Sequence, residues 1–85
     1  MTRFERGYRA ALADVTKLLK LYGDENMTIC GDNILMDPLL HGEAWTEENV
    51  KRSADCSVRS TIHSSQYHAS EHLLAAIAKM PRRAA

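Results

Sequence analysis

The sequence predicts a mainly α protein, an antiparallel pair of one shorter and one long helix joined by an acidic connector. Three observations predict this fold class. An apolar stripe at helical spacing occupies the first 22 residues, neither Gly nor Pro occurs between Gly42 and Pro81, and acidic side chains concentrate between these two segments. The 85 residues form one domain, near the size at which a single core only just offsets chain entropy. Because a partner chain would add buried surface, we expect a dimeric helical bundle.

The first helix is predicted over residues 3–22. Thr2 and Glu5 have the spacing of a capping box, in which the threonine hydroxyl accepts a hydrogen bond from the backbone N–H three residues on. Apolar residues then recur at steps of three and four, which places them on one helix face: Phe4, Tyr8, Ala11, Val15, Leu18 and Tyr22. Gly23 is a residue type that often ends a helix in the left-handed conformation. We therefore place the end of the helix before it.

Residues 24–45 are predicted to form a connector that contains a small β-hairpin. Short apolar runs flank a Gly-Asp-Asn sequence at 31–33, whose residue types suit a hairpin turn, so the hairpin would cover residues 27–36. Asp37 followed by Pro38 has the pattern of a helix cap with proline at the first helical position. This pattern predicts one further turn before the long helix.

A long helix is predicted over residues 47–80, with a basic tail at 81–85. Thr46 is suited to cap it, and the two glutamates that follow lie in the first turn, where the helix dipole favours acidic groups. Several serines and threonines lower the helix propensity near residues 63–65. One continuous helix is the favoured interpretation, and a break at 63–65 is the alternative.

The long helix carries apolar or small residues on two different sides. One side holds Ala54, Val58, Ala69 and Leu73. At about 100° per residue, a second group of residues clusters elsewhere around the axis, and the first helix cannot cover both sides. We predict that the first helix packs on one side and a second copy of the chain on the other. The predicted homodimer interface consists of Cys56, His63, Tyr67 and Leu74.

Charge is distributed unevenly, although the net charge is zero. Residues 24–48 hold seven acidic side chains and no Lys or Arg, whereas both flanking segments are basic. A dense acidic loop beside an aromatic residue suits the steering and anchoring of a protein partner. The predicted partner-binding residues are Asp32, Asp37, Glu43, Trp45, Glu47 and Glu48. A neutral chain has little of the long-range field that attracts nucleic acid, so nucleic-acid binding is kept only as an alternative function.

A possible metal motif lies in the long helix, where His68, Glu71 and His72 have the His-x-x-Glu-His order of inverzincin peptidases. Two histidines four residues apart face one side of a helix and could bind one zinc ion. The thirteen residues after His72 include no Asp, Glu, His or Cys, so no third ligand follows the motif. We predict no metal and no cofactor, with zinc binding through His68 and His72 as an alternative.

Motifs of common catalytic sites are missing from the sequence. It has no Gly-x-Ser-x-Gly elbow and no Gly-rich phosphate loop. A chain of 85 residues also leaves little room for a substrate cleft of ~300 Å³ or more. We therefore predict that the protein is not an enzyme and has no small-molecule substrate. No export signal or bilayer-spanning apolar run is visible, so we expect a cytoplasmic protein without membrane contact.

The two ends of the helical region resemble small bacteriophage and prophage accessory proteins. The resemblance is carried by FERGYRAALADVTKLL, a Gly-Tyr and Ala-rich first helix, and by HLLAAIAKMP with its Ala-Ile-Ala ending. It implies a non-catalytic protein that binds a host protein and inhibits or modulates it, in anti-defence or host takeover, in the bacterial host cytoplasm. The pattern contains no functional motif, so it transfers no site residue to this chain.

Overall fold

The computed structural model describes residues 2–81, in which the chain forms two α-helices joined by a short connector. Helix α1 spans Arg3–Leu35 and helix α2 spans Glu47–Ala78, with 33 and 32 residues. Packed together, they make a hairpin of 65 × 15 × 14 Å. The predicted pair of packed helices is confirmed. The helices are nearly equal in length, however, instead of one shorter and one long.

Both helices begin at the threonine caps that the sequence predicts. Thr2 Oγ1 accepts a hydrogen bond from the Glu5 N–H at 3.1 Å, and Thr46 Oγ1 accepts one from the Asn49 N–H at 3.1 Å. Each hydroxyl satisfies a first-turn N–H that has no acceptor within its helix. From its cap, α2 runs without interruption through residues 63–65.

The predicted β-hairpin at residues 27–36 is wrong, because α1 continues through this segment to Leu35. Gly23 does not end the first helix. Its backbone is helical, and it is buried where α1 approaches α2. An added Cβ at this position would lie 2.6 Å from Ser70 Oγ. The glycine is therefore required for close helix packing and not for a left-handed turn.

Polar side chains in the second half of α1 bond to their own helix. The Asn26 amide donates to the Tyr22 carbonyl at 2.8 Å, and the Asn33 amide donates to the Ile29 carbonyl at 2.8 Å. Asparagine favours turns because its side chain can form hydrogen bonds with nearby backbone groups, in competition with the hydrogen bonds of a helix. Here the same hydrogen bonds form within a helix, and packing on α2 overrides the local turn propensity.

The chain reverses within residues 36–46, so the connector is much shorter than the predicted 24–45. Pro38 disfavours helical backbone at Asp37, which ends α1 soon after its last turn. Gly42 has a φ of +80°, a left-handed conformation that favours glycine, and it lets the chain turn back toward α2. Of the predicted basic tail, residues 82–85 lie outside the described part of the chain.

The two helices pack antiparallel along a seam with a seven-residue repeat. Asn26 contacts His63, and Cys30 contacts Ser60, so positions on α1 fall as positions on α2 rise. Buried and half-buried residues of α1 on this seam are Leu12, Thr16, Leu19, Gly23, Asn26, Cys30 and Asn33. Those of α2 are Asn49, Ser53, Cys56, Ser60, His63, Tyr67, Ser70, Leu74 and Ile77. A repeat of seven is typical of coiled-coil packing.

The seam is rich in small and polar residues. Within residues 2–81, Leu12 is the one large apolar side chain that is buried, at 8% exposure. Asn26, Asn33 and Ser70 are also buried on the seam, and their polar atoms are satisfied by hydrogen bonds. Most large apolar side chains consequently lie outside the seam. In this part of the chain, neither helix combines the length and apolar character needed to cross a membrane.

Candidate functional site

The hairpin tip, residues 35–48, concentrates exposed apolar and acidic side chains. Trp45 is 80% exposed and Leu40 is 65% exposed. Three exposed acidic residues lie in the same segment: Glu43, Glu47 and Glu48. Exposed apolar surface rimmed by polar groups is typical of protein interaction sites.

The backbone on both sides of Trp45 is fixed by hydrogen bonds. The Thr46 N–H donates to the Ala44 carbonyl at 2.9 Å, and the Asn49 side-chain amide donates to the same carbonyl at 2.8 Å. The Thr46 hydroxyl also caps α2. The Trp45 side chain therefore extends from a short segment whose backbone is fixed by hydrogen bonds at the start of α2.

Four of the six predicted partner-binding residues come together at the tip: Glu43, Trp45, Glu47 and Glu48. Asp32 is exposed but lies on the last turns of α1. Asp37 is buried. Sequence reasoning missed Leu40 and Met36, which are exposed at the same tip. Only a correct location of the chain reversal could have identified them, because the sequence pattern assigns Met36 to a β-hairpin and Leu40 to the turn that follows it.

The Asp37 carboxylate accepts hydrogen bonds within the connector and from α2. A hydrogen bond with the Ser53 side chain lowers its pKa, and hydrogen bonds from the backbone N–H groups of Leu39 and Leu40 act in the same direction. The Oδ1 atom lies 3.0 Å from the Leu39 nitrogen and 3.4 Å from the Leu40 nitrogen. Burial opposes this effect by favouring the neutral acid. Asp37 therefore joins the turn to the first turns of α2.

Asp37→Asn is expected to reduce the loss of stability in acid. Since the folded-state pKa is lowered, ionised Asp37 stabilises the fold above the unfolded-state value of about 3.9, and this contribution disappears as pH falls through the lower folded-state value. The melting temperature of the variant should thus fall less steeply than that of the unmodified chain between about pH 5 and pH 2. Glu43→Gln, at an exposed position, should keep the unmodified slope. Identical slopes for Asp37→Asn and the unmodified chain would contradict the role of this carboxylate.

The four residues predicted to form a dimer interface lie on the seam that faces α1. His63 Nδ1 lies 2.7 Å from Asn26 Oδ1, and the Asn26 amide nitrogen is already donating to its own helix, so the imidazole N–H donates. Tyr67 lies beside Gly23, and Cys56 lines a crevice with residues of α1. The seven-residue repeat places Leu74 on the same face. In the hairpin, α1 therefore covers this stripe.

The His-x-x-Glu-His motif lies on the exposed surface of α2. His68, Glu71 and His72 are all exposed, and the rings of His68 and Tyr67 form a T-shaped contact with a centroid distance of 5.4 Å. Throughout residues 2–81, no three His, Cys, Asp or Glu side chains are grouped so that they could hold a metal ion. The predicted zinc alternative thus gains no third ligand from the described part of the fold.

Basic side chains are distributed along both helices. On α2, Lys51 pairs with Glu47 at 3.2 Å and Arg59 pairs with Asp55 at 3.1 Å, each one helical turn apart and exposed. Pairs of this kind are typical of the solvated face of a helix. They partly neutralise the cations that a nucleic-acid-binding surface would use.

Three concavities on the hairpin differ in size and in enclosure. A crevice of about 100 Å³ lies between the helices near the connector, lined by residues that include Asn33, Asp37, Cys56 and Ser60. Two larger concavities of about 550 and 350 Å³ are each lined by a single helix, so neither is enclosed. The inter-helix crevice is smaller than the 300–1,000 Å³ that is typical of small-molecule sites.

The apolar stripe that predicted the first helix does not face α2. Phe4, Val15, Leu18 and Tyr22 are exposed, and the seam instead follows the neighbouring repeat that begins with Leu12. The seven-residue spacing of Leu12, Leu19, Asn26 and Asn33 is the sequence signal that could have located the seam. Two asparagines in that repeat obscured it.

Known proteins offer no relative from which a function could be transferred, since no family model, curated protein or solved structure matches the chain. Function is therefore inferred from the surface of the hairpin. The hairpin tip and the exposed apolar stripe of α1 are its two most distinctive surfaces.

Proposed function

We propose that the protein is a non-catalytic protein-binding module whose hairpin tip contacts a protein partner. The observation that carries this proposal is Trp45, 80% exposed and surrounded in sequence by acidic side chains. Tryptophan is enriched among the residues that contribute most to protein interfaces. Acidic groups around it accelerate association with a basic surface. The expected partner surface is thus an apolar pocket with a basic rim.

Preorganisation of the tip supports the same function. The hydrogen bonds around Ala44 and the Thr46 cap hold the backbone beside Trp45 before any partner binds. Binding then costs less conformational entropy than it would for a flexible loop. The small inter-helix crevice also supports a role in protein binding over one in small-molecule chemistry.

The resemblance to phage accessory proteins supports a host protein as the partner. In that setting the tip binds a host factor in the bacterial cytoplasm and inhibits or modulates it, as in anti-defence or host takeover. The partner is defined here by its chemistry, a basic rim around an apolar pocket.

Affinity capture from a bacterial lysate tests the tip. Trp45→Ala, and separately Glu43→Lys with Glu47→Lys and Glu48→Lys, are expected to reduce capture of the partner by at least about tenfold, equivalent to about 1.4 kcal/mol. Mass spectrometry would quantify each retained protein relative to the unmodified bait.

A control variant with the same change in charge distinguishes an effect of the tip from an effect of net charge. Asp14→Lys with Asp24→Lys and Glu71→Lys reverses three exposed acids on the helices and leaves the tip intact. This variant should keep the partner. Equal retention by the tip variants and the unmodified chain, or equal loss with the control, would remove the proposal.

A further inference from the structure

A second surface of the hairpin consists of apolar residues that each directly precede a seam residue. Among them are Val15, Leu18 and Tyr22 on α1, and Ile62, Ala69 and Leu73 on α2. All six are exposed, and we refer to them as the apolar face. On α1 the face lies about 100° around the axis from the seam that contacts α2. A helix with two such stripes is suited to contact two neighbouring helices in a bundle.

The two halves of the apolar face lie on the same side of the hairpin. Ile34 and Ser57 each directly follow a seam residue, and both line the same crevice beside the connector. Residues that follow the seam therefore share one side of an antiparallel pair. Residues that precede it share the opposite side, because both helices are right-handed. Val15 of α1 and Leu73 of α2 lie at similar distances from the hairpin tip. Gly23 lies beside Tyr67, Val15 is eight residues before Gly23, and Leu73 is six residues after Tyr67.

We propose that the apolar face is the interface of a homodimer, in which α1 of one copy lies antiparallel beside α2 of the other. The accessible surface of the chain is 6459 Å². A compact monomer of 9.5 kDa has roughly 5,000 Å², so the hairpin exposes an excess on the order of 1,000 Å². A stable interface buries about 800 Å² from each partner. An interface of that size on each copy would remove most of the excess.

Charge on the same side of the hairpin also suits a second copy as the occupant. Nearer the connector, Asp32 directly precedes a seam residue of α1 and Arg59 directly precedes one of α2, and both lie close to the contact of Cys30 with Ser60. When α1 of one copy lies beside α2 of the other, Asp32 of each chain therefore lies level with Arg59 of its partner, which Asp55 of the same helix also contacts at 3.1 Å. The surface is self-complementary, as a two-fold interface requires.

The mass and the melting behaviour of the unmodified chain test the dimer. Light scattering should give twice the chain mass of 9.5 kDa from about 1 µM to about 100 µM. The melting temperature should rise with protein concentration, because dissociation accompanies unfolding. A folded monomer at about 100 µM, whether or not it binds another protein, would overturn the proposal.

Two matched variants locate the interface. Leu18→Glu places a charge in the apolar face, and Met27→Glu places one on the opposite side of the same helix, directly after a seam residue. Both side chains are exposed in the single hairpin, at 66% and 49%. Leu18→Glu should be monomeric or unfolded at concentrations where Met27→Glu is a folded dimer. A dimer that survives Leu18→Glu, or that both substitutions disrupt equally, would place the contact elsewhere.

Discussion

Gly23→Leu is expected to destabilise the protein more than any other single substitution at a glycine. The residue is buried, and an added Cβ would lie 2.6 Å from Ser70 Oγ and 3.6 Å from the Tyr67 ring. A leucine side chain would therefore force the helices apart along the seam. Overpacking of this kind costs about 3 kcal/mol, which lowers the melting temperature of a small domain by more than about 10 °C. Thermal unfolding followed by far-UV circular dichroism measures the change.

Gly31→Leu is the matched control for this prediction. Gly31 lies in the same helix, and an added Cβ there would meet no atom within 4 Å. Removing a helical glycine at such a position stabilises by up to about 1 kcal/mol. Opposite signs for the two substitutions are expected. Similar melting temperatures for both variants would show that α1 does not approach α2 closely at Gly23.

The substitution Ser70→Ala is expected to restore part of the stability that the milder substitution Gly23→Ala removes. The Ser70 hydroxyl donates to the Tyr67 carbonyl at 2.7 Å, and it must rotate away when a methyl group appears at Gly23. Ser70→Ala removes the clashing oxygen. Because the two residues are in contact, the double variant is expected to lose less unfolding free energy than the sum of the two single losses.

Asn26→Ala is expected to cost about 2 kcal/mol of unfolding free energy. Asn26 is buried, and its Oδ1 atom accepts the hydrogen bond from His63 Nδ1 across the seam at 2.7 Å. Truncation leaves the imidazole N–H without its partner in a half-buried site, a penalty of about 1–3 kcal/mol. Urea unfolding at neutral pH measures the loss, with the slope compared among variants.

A double-mutant cycle separates this contact from other effects of the substitution. If the hydrogen bond accounts for the loss, His63→Ala combined with Asn26→Ala should cost less than the two single losses added together. Thr28→Ala is the control, since the exposed Thr28 hydroxyl bonds only one turn back to Asp24 at 3.0 Å. It should change stability by less than about 0.5 kcal/mol. Additive effects of Asn26 and His63 would contradict the contact.

Asn26→Leu with His63→Leu is expected to behave differently from either truncation. Replacing both partners by apolar side chains removes the hydrogen bond without leaving an unpaired group, so stability can be unchanged or higher. A buried polar pair in a coiled-coil seam often specifies register and oligomeric state. The double leucine variant should therefore show a broader distribution of masses by light scattering.

The polar seam and the apolar outer face together explain how a small hairpin could be stable. Few large apolar groups are buried between α1 and α2, and the proposed dimer covers those left on one side. In that arrangement both copies run in the same direction along the bundle, so the two hairpin tips lie at one end. A dimer would then present two copies of Trp45 to a partner. Two linked contacts bind more tightly than one if the partner is itself repeated.

The sequence by itself determined the helical class and both helix starts. Thr2 and Thr46 act through hydrogen bonds to residues three positions away, so a local pattern suffices to identify them. The acidic segment and Trp45 were likewise visible as composition. Such features depend only on neighbours along the chain.

Only the tertiary structure decided where α1 ends and which face of each helix is covered. Gly23, Asn26 and Asn33 have the residue types of a turn, yet they lie in a helix because α2 packs against them. Their local preference is worth about 1 kcal/mol per residue or less, whereas the contacts that oppose it join residues more than 30 positions apart. Close approach at Gly23 and the Asn26–His63 bond selected a small, polar seam and left the more apolar stripe outside.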